Sequence, residues 1–214
     1  MERSFVLGVD FDNTIINYDD LLHTVAVERN LISPDLEKSK RIIRDRIRQL
    51  PQGEIEWQKL QAVVYGLRIR EARLIQGFRN FVTHCRFEQI PIYIISHKTE
   101  YAGYDETKTN LRLAAMDWMA IHNFFDSTGL GFSRSEIFFG ATRLEKIEYI
   151  RQLGCTHFVD DLEETFGEKT FPFNVNKILF ASDSQGTDLP NVRVVSHWLD
   201  IYEYFFSARS REVR

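Results

Sequence analysis

The sequence predicts an α/β fold in which strands of an open parallel sheet alternate with helices, with a small helical appendage. Three observations lead there. Short runs rich in Val, Ile, Leu and Phe recur along the chain, and the first, second and fourth stop at acidic residues or a hydroxyl. Between them stand segments whose apolar residues repeat at helical spacing. The 214 residues suffice for one core and one insert.

The first run, from Phe5 to Ile16, starts as a buried strand and carries Asp10 and Asp12 at its end. Residues two apart on a strand point the same way. Ligands of open parallel sheets sit beyond the carboxyl ends of the strands, so both carboxylates are expected over one crevice. One would act as nucleophile and the other as general acid or base. The plainer reading of Asp12-Asn13-Thr14 is a turn or a helix N-cap.

From about Tyr18 to Phe87 the pattern turns helical. Ile43, Ile47 and Leu50 share one face, Trp57, Leu60, Val64 and Leu67 another, and Ile75, Phe78, Val82 and Cys85 a third. Pro34-Asp35 and the stretch from Pro51 to Gly53 read as breaks. Arg68, Arg70 and Arg73 suggest either substrate clamps or, more simply, a solvated helix face.

The second strand, Ile90 to Ser96, ends in a hydroxyl followed by His97, Lys98 and Thr99. A serine there suits one phosphate oxygen, or else caps the following turn. The loop from Thr99 to Thr109 is long, polar and aromatic, and is a candidate for specificity. Leu111, Ala114, Ala115, Trp118 and Ile121 form a helical stripe that reads as core. A third strand spans Glu136 to Gly140. The helix from Thr142 to Gly154 follows, with Leu144, Ile147, Ile150 and Leu153 on one face. Lys146 falls off that stripe, where most helix lysines are solvated. Thr156 to Asp160 is a fourth strand, ending at Asp160-Asp161, and Asn176 to Ala181 a fifth.

If Asp10, Asp12, Asp160 and Asp161 share one crevice, they repel one another. Two like charges about 4 Å apart cost about 4 kcal/mol at an effective dielectric near 20. Such a set takes up protons or holds a cation. Lys146 offsets one charge, and a few hard oxygen ligands suit Mg²⁺. The six histidines (23, 84, 97, 122, 157 and 197) show no metal-ligand spacing, which argues against zinc.

Asp10-Phe11-Asp12-Asn13-Thr14, then Ser96, Lys146 and Asp160-Asp161, follow in an order that resembles the haloacid dehalogenase (HAD) superfamily of phosphohydrolases. The resemblance extends over most of residues 5 to 181. It implies a Rossmann-like, doubly wound parallel sheet over residues 1–17 and 88–214, with a helical cap over 18–87 between the first two motifs. It implies that Asp10 attacks phosphorus and binds Mg²⁺. Asp12 would protonate the leaving oxygen and then activate water, with its backbone carbonyl on the metal. Ser96 and Lys146 would hold phosphoryl oxygens, while Asn13 and Thr14 shape the phosphate cup. Asp161 is the expected direct metal ligand, with Asp160 as a ligand or its neighbour. His97 adjoins Ser96, so a substrate contact, packing and capping all fit. One departure is that the family's further acid, four or five residues on, is replaced by Thr165 and Phe166, with Glu164 nearby.

The expected activity is Mg²⁺-dependent hydrolysis of a small phosphorylated metabolite through an aspartyl-phosphate. An acid at position 12 favours phosphate esters over halides, because an alkoxide leaving group benefits from a proton donor. The alternatives are a phosphotransferase or mutase of the same chemistry and a non-catalytic HAD-like binding module. A net charge of −4 and a pI near 5.9 give no electrostatic case for a nucleic-acid partner. Two cysteines at no useful spacing suggest a reducing compartment. The chain opens on its first strand and has no stretch long enough to span a bilayer, so no membrane association and a cytoplasmic location are expected.

Overall fold

The computed structural model describes residues 5–105, 108–181 and 187–207. In chain order the elements are β1 (Leu7–Val9), β2 (Ile16–Asn17), α1 (Asp19–Glu28), α2 (Lys40–Arg48), α3 (Gly53–Ala62), β3 (Arg73–Leu74), α4 (Phe78–Phe87) and β4 (Ile92–His97). Then come α5 (Leu111–Ile121), β5 (Ile137–Gly140), α6 (Arg143–Gln152), β6 (His157–Asp160), α7 (Glu163–Gly167), β7 (Asn176–Phe180), β8 (Val192–Val195) and α8 (Trp198–Phe206). They form two compact units. One comprises Met1–Ile15, Leu74–His97 and Phe125–Arg214; the other comprises Ile16–Arg73 and Lys98–Phe124.

The first unit is built on a six-stranded sheet of order β5-β4-β1-β6-β7-β8, parallel throughout. This is the expected doubly wound α/β arrangement. β1 pairs with β4 on one side and β6 on the other, so the chain order reverses there. Such a switch point is where parallel sheets open a ligand crevice. Register brings the strand ends level: Val9 lies opposite both Ile94 and Val159, and the Asp10 N–H donates to the Val159 carbonyl at 2.8 Å. Leu7, Val9, Ile92, Ile94, Phe158 and Ile178 are buried along these strands. Near-continuous apolar runs are what strands covered on both faces require. Gly8 allows close packing here, since a Cβ would lie 2.6 Å from the Phe158 ring.

The second unit contains α1, α2, α3, a π-helical turn at Val63–Leu67 and α5. Ile43, Ile47, Trp57, Leu60 and Val64 are buried, as their spacing predicts. Gly66 lets the π-turn approach α5, where a Cβ would stand 3.1 Å from Leu111. Asn110 caps α5 by accepting from the Arg112 and Leu113 N–H groups, and Trp118 Nε1 donates to the Ala72 carbonyl at 2.9 Å.

Several expectations shift in three dimensions. The sequence placed 18–87 in the insert and 88–214 in the core. In the structure α4 packs on α8 within the sheet unit, while 98–124 groups with the helices of the other unit. The reason is chemical: Phe78 and Phe81 of α4 meet the Trp198 ring at 4.9 and 5.0 Å, a contact between segments far apart in the chain. β8 and α8 were not expected at all. Leu67 (61% exposed), Ile121 (52%) and Leu144 (56%) lie outside the core despite their apolar spacing. On α6 the inward face instead runs through Lys146, Ile147 and Ile150. Both cysteines are buried free thiols, each pushed up to about 12 by burial. Among the described residues no helix is long and apolar enough to cross a membrane.

Candidate active site

The carboxyl ends of β1 and β6 bring together residues that the sequence separates by some 150 positions. Asp10 leaves β1 buried. The chain then turns sharply, with the Ile15 N–H donating to the Phe11 carbonyl at 3.0 Å. Asn13 takes a left-handed conformation (φ 58°), which asparagine tolerates better than most residues. Its side-chain Nδ2 donates to Asp161 Oδ2 at 3.2 Å, tying the first motif to the last. Thr14 is buried, and its carbonyl accepts from Trp198 Nε1 at 2.9 Å, so α8 holds the turn from behind. The Thr14 hydroxyl is buried and meets no hydrogen-bond partner among the described residues. Asp12 stands half-buried on the same turn.

Lys146 is the element that the helical stripe concealed. Only 1% exposed, it places Nζ 2.6 Å from Asp10 Oδ1 and 2.7 Å from Asp160 Oδ2, and 5.4 Å from the centre of the Phe158 ring. Two local features bring it down to the sheet. Thr142 caps α6 by accepting from the Glu145 N–H at 3.2 Å. Gly140, at the end of β5, lets the first turn of α6 come close, because a Cβ there would lie 2.7 Å from the Lys146 backbone nitrogen. Asp160 uses both oxygens, one on Lys146 and one accepting from the Leu162 N–H at 3.1 Å.

Asp10, Asp160 and Asp161 each offer one oxygen within 4.8 Å of the others, and no other such group of three or more metal-ligating side chains occurs among the described residues. The electrostatics follow. Burial, the largest influence, raises the Asp10 carboxyl to about 8; Lys146 opposes this, and Asp160, Asp161 and Asp12 reinforce it. On Lys146 burial acts to lower the pKa, but the two carboxylates prevail and raise it. The set therefore carries more negative charge than one lysine offsets. Three hard oxygen donors with no thiol or imidazole among them suit Mg²⁺.

Ser96 lies buried at the end of β4. His97 beside it is exposed and places Nε2 3.1 Å from the Ala141 carbonyl. Partial burial of the ring, with lesser help from Lys146 and Arg143, lowers its pKa. At the position of the family's further acid, Thr165 is buried with its hydroxyl unpartnered among the described residues, and Glu164 points to solvent. The sequence alone does not reveal that Trp198 braces the first motif or that Gly140 lets α6 approach. The one signal for the latter was a strand-ending glycine two residues before the threonine that caps the next helix.

No family model matches the chain. A curated relative, the 2-hydroxy-3-keto-5-methylthiopentenyl-1-phosphate phosphatase of Geobacillus thermodenitrificans, is 28% identical over 109 residues. That match covers 49% of this chain and 48% of the relative, so about half the length of each is compared. Solved structures align far more completely. A haloacid dehalogenase-like hydrolase of Streptococcus pneumoniae superposes with a TM-score of 0.59 at 16% identity, covering 96% of this chain and all of the other (100%). A HAD hydrolase of Entamoeba histolytica gives 0.56 at 12%, covering 92% and 94%. A HAD family hydrolase of Deinococcus radiodurans, crystallised with bound phosphate and sodium, gives 0.55 at 12%, covering 97% of each. With a parallel sheet in this strand order and superposition over nearly its whole length, the chain has the fold of the haloacid dehalogenase-like hydrolases.

Proposed function

We propose that the protein is a Mg²⁺-dependent phosphatase that hydrolyses a small phosphorylated metabolite through a phosphorylated Asp10. The observation that carries this reading is the buried Lys146 ammonium between Asp10 and Asp160, with Asp161 alongside, at the crevice end of a parallel sheet. Asp10 attacks phosphorus, and the ester P–O bond breaks. Asp12 gives its proton to the departing oxygen, then takes one from the water that releases phosphate from Asp10. Ser96 and Lys146 hold the non-bridging oxygens, with Asn13 and Thr14 shaping the cup. The Thr14 hydroxyl, which has no hydrogen-bond partner among the described residues, suits a phosphate oxygen. His97 borders this cup as a substrate contact.

Mg²⁺, held by Asp10, Asp161 and the Asp12 backbone carbonyl, would neutralise the charge of the transferring group. Asp160 has both oxygens engaged, so its part is to fix Lys146. The small-metabolite substrate class accords with the curated relative, whose name specifies a small organic phosphate. The second unit takes the place of the cap that the family resemblance implies, with substrate choice as its role.

The decisive measurement is phosphate release over a panel of metabolites, with and without Mg²⁺, with Asp10→Asn as the blank. Release that needs Mg²⁺ and falls at least ~10³-fold in Asp10→Asn is expected. Near wild-type release by that variant would refute the nucleophile assignment. Phosphate appearing on a second substrate instead of in solution would indicate a phosphotransferase.

A further inference from the structure

Where α4 packs on α8, the sheet unit carries a groove of about 590 Å³. Asn80, Thr83, His84 and Phe87 follow one another at helical spacing along α4 and form one wall. Leu199 and Tyr202 of α8 form the other. Gly77 and Trp198, at the starts of the two helices, complete the lining. Gly77 is required there, since its φ is +91° and a Cβ would stand 2.9 Å from the Trp198 Cβ. The walls expose large apolar side chains, Phe87 at 79% and Leu199 at 62%, and no Lys, Arg, Asp or Glu lines the groove. The Thr83 hydroxyl donates to the Arg79 carbonyl at 2.9 Å. His84 is placed between neighbours, with Nδ1 3.4 Å from the Tyr202 hydroxyl and Nε2 3.9 Å from Glu88, which lies outside the lining. The exposed Asn80 amide is then the polar anchor, with both a donor and an acceptor to offer. One residue joins this groove to the proposed active site. Trp198 donates Nε1 to the Thr14 carbonyl at 2.9 Å, and Thr14 belongs to the proposed phosphate cup.

The volume falls in the range of small-molecule sites. With rings and an amide but no ionic side chain on its walls, the groove suits neither a metal ion nor a charged ligand. We propose that it binds a small uncharged aromatic molecule, its ring against Phe87, Leu199 and Tyr202 and its hydroxyl or amide on Asn80. By bridging α4 and α8, the bound molecule steadies Trp198 and with it the phosphate cup. The binding is independent of the proposed phosphatase function, and the effect on the cup rests on it.

The test is calorimetric titration of the full chain with 2-naphthol, beside naphthalene-2-sulfonate as the charged counterpart and cyclohexanol as the counterpart without an aromatic ring. Saturable one-site binding of naphthol is expected, at least tenfold tighter than either control. Phe87→Ala and Leu199→Ala, at exposed positions, should each weaken it at least fivefold while keeping the wild-type melting temperature. Leu144→Ala, at an exposed apolar position on α6, should stay within twofold. Absence of saturable binding, equal loss in Leu144→Ala, or unchanged affinity in both groove variants would overturn the site. So would a chain that sediments as a dimer and becomes a monomer in Phe87→Ala, since the groove would then hold a second copy. Coupled sites act on each other reciprocally. Saturating inorganic phosphate with Mg²⁺ should therefore tighten naphthol binding at least twofold in the wild type and leave it unchanged in Trp198→Phe. No tightening in a chain that does release phosphate would overturn the link through Trp198. Failure of phosphate release with naphthol still bound would count against the phosphatase reading and not against the groove.

Discussion

Lys146 brings one positive charge into a site with three carboxylates close by, and its two short contacts set what its loss would do. Removing one partner of a buried ion pair leaves the other uncompensated, at a cost of about 3–5 kcal/mol. Lys146→Met is therefore expected to lower unfolding stability by about that amount in urea titration and to abolish phosphate release. Adding Asp10→Asn and Asp160→Asn to it should restore most of the stability but none of the activity. His157 makes a second prediction. Its Nδ1 lies 2.9 Å from Thr156 Oγ1, whose own hydrogen is directed at the Val6 carbonyl, so Nδ1 carries the proton; Nε2 then accepts from Asn176 at 3.2 Å. Burial pulls the ring from 6.5 to about 4. The unfolded chain thus binds a proton that the folded one refuses, and stability is full above about pH 6.5 and lost as pH falls toward 4. The unfolding free energy from urea titration should fall between pH 6.5 and 5, by at most about 1.4 kcal/mol per unit, and His157→Gln should flatten that slope.

Elements, not single residues, decide whether these groups meet. α6 delivers Lys146 because Gly140 has no side chain and Thr142 starts the helix one turn earlier. Gly140→Ala forces the start of α6 away from the sheet. A loss of about 1–3 kcal/mol is expected from overpacking, and kcat should drop at least tenfold with the lysine displaced. Unfolding curves and phosphate-release kinetics would check both. α8 acts from the other side through Trp198. Trp198→Phe keeps the ring packing with Phe78 and Phe81 but leaves the buried Thr14 carbonyl without its donor. A stability cost of about 1–3 kcal/mol is expected, together with a higher KM, since Thr14 belongs to the proposed phosphate cup. The guanidinium groups considered as clamps have other employment: Arg68 pairs with Glu28 and Glu71, Arg70 with Asp117, and Arg73 with Asp20. The solvated-face reading fits them.

For the molecule as a whole, a cation that binds only the folded chain raises its melting temperature by mass action. Mg²⁺ at 100 times its dissociation constant should add about 2.7 kcal/mol, visible as a thermal shift. Asp161→Asn should remove the shift while leaving the metal-free melting temperature nearly unchanged. Much of this was legible beforehand, and for a definite reason. Strand side chains alternate with period 2, so an apolar run ending in Asp10-Phe11-Asp12, or in Asp160-Asp161, fixes where its carboxylates point once a parallel sheet is assumed. The sequence by itself therefore determined the fold class, five of the six sheet strands and the meeting of Asp10 with Asp160 and Asp161 at the strand ends. Helical spacing carries less information, because it names a face without saying what that face meets. Whether Lys146 was solvated or buried depended on Asp10, 136 residues away, and the hold on Thr14 depended on Trp198, 184 residues away. The grouping of α4 with α8 rests likewise on contacts between distant segments. Only the tertiary structure decided these, since burial and charge neutralisation are properties of neighbours in space rather than along the chain.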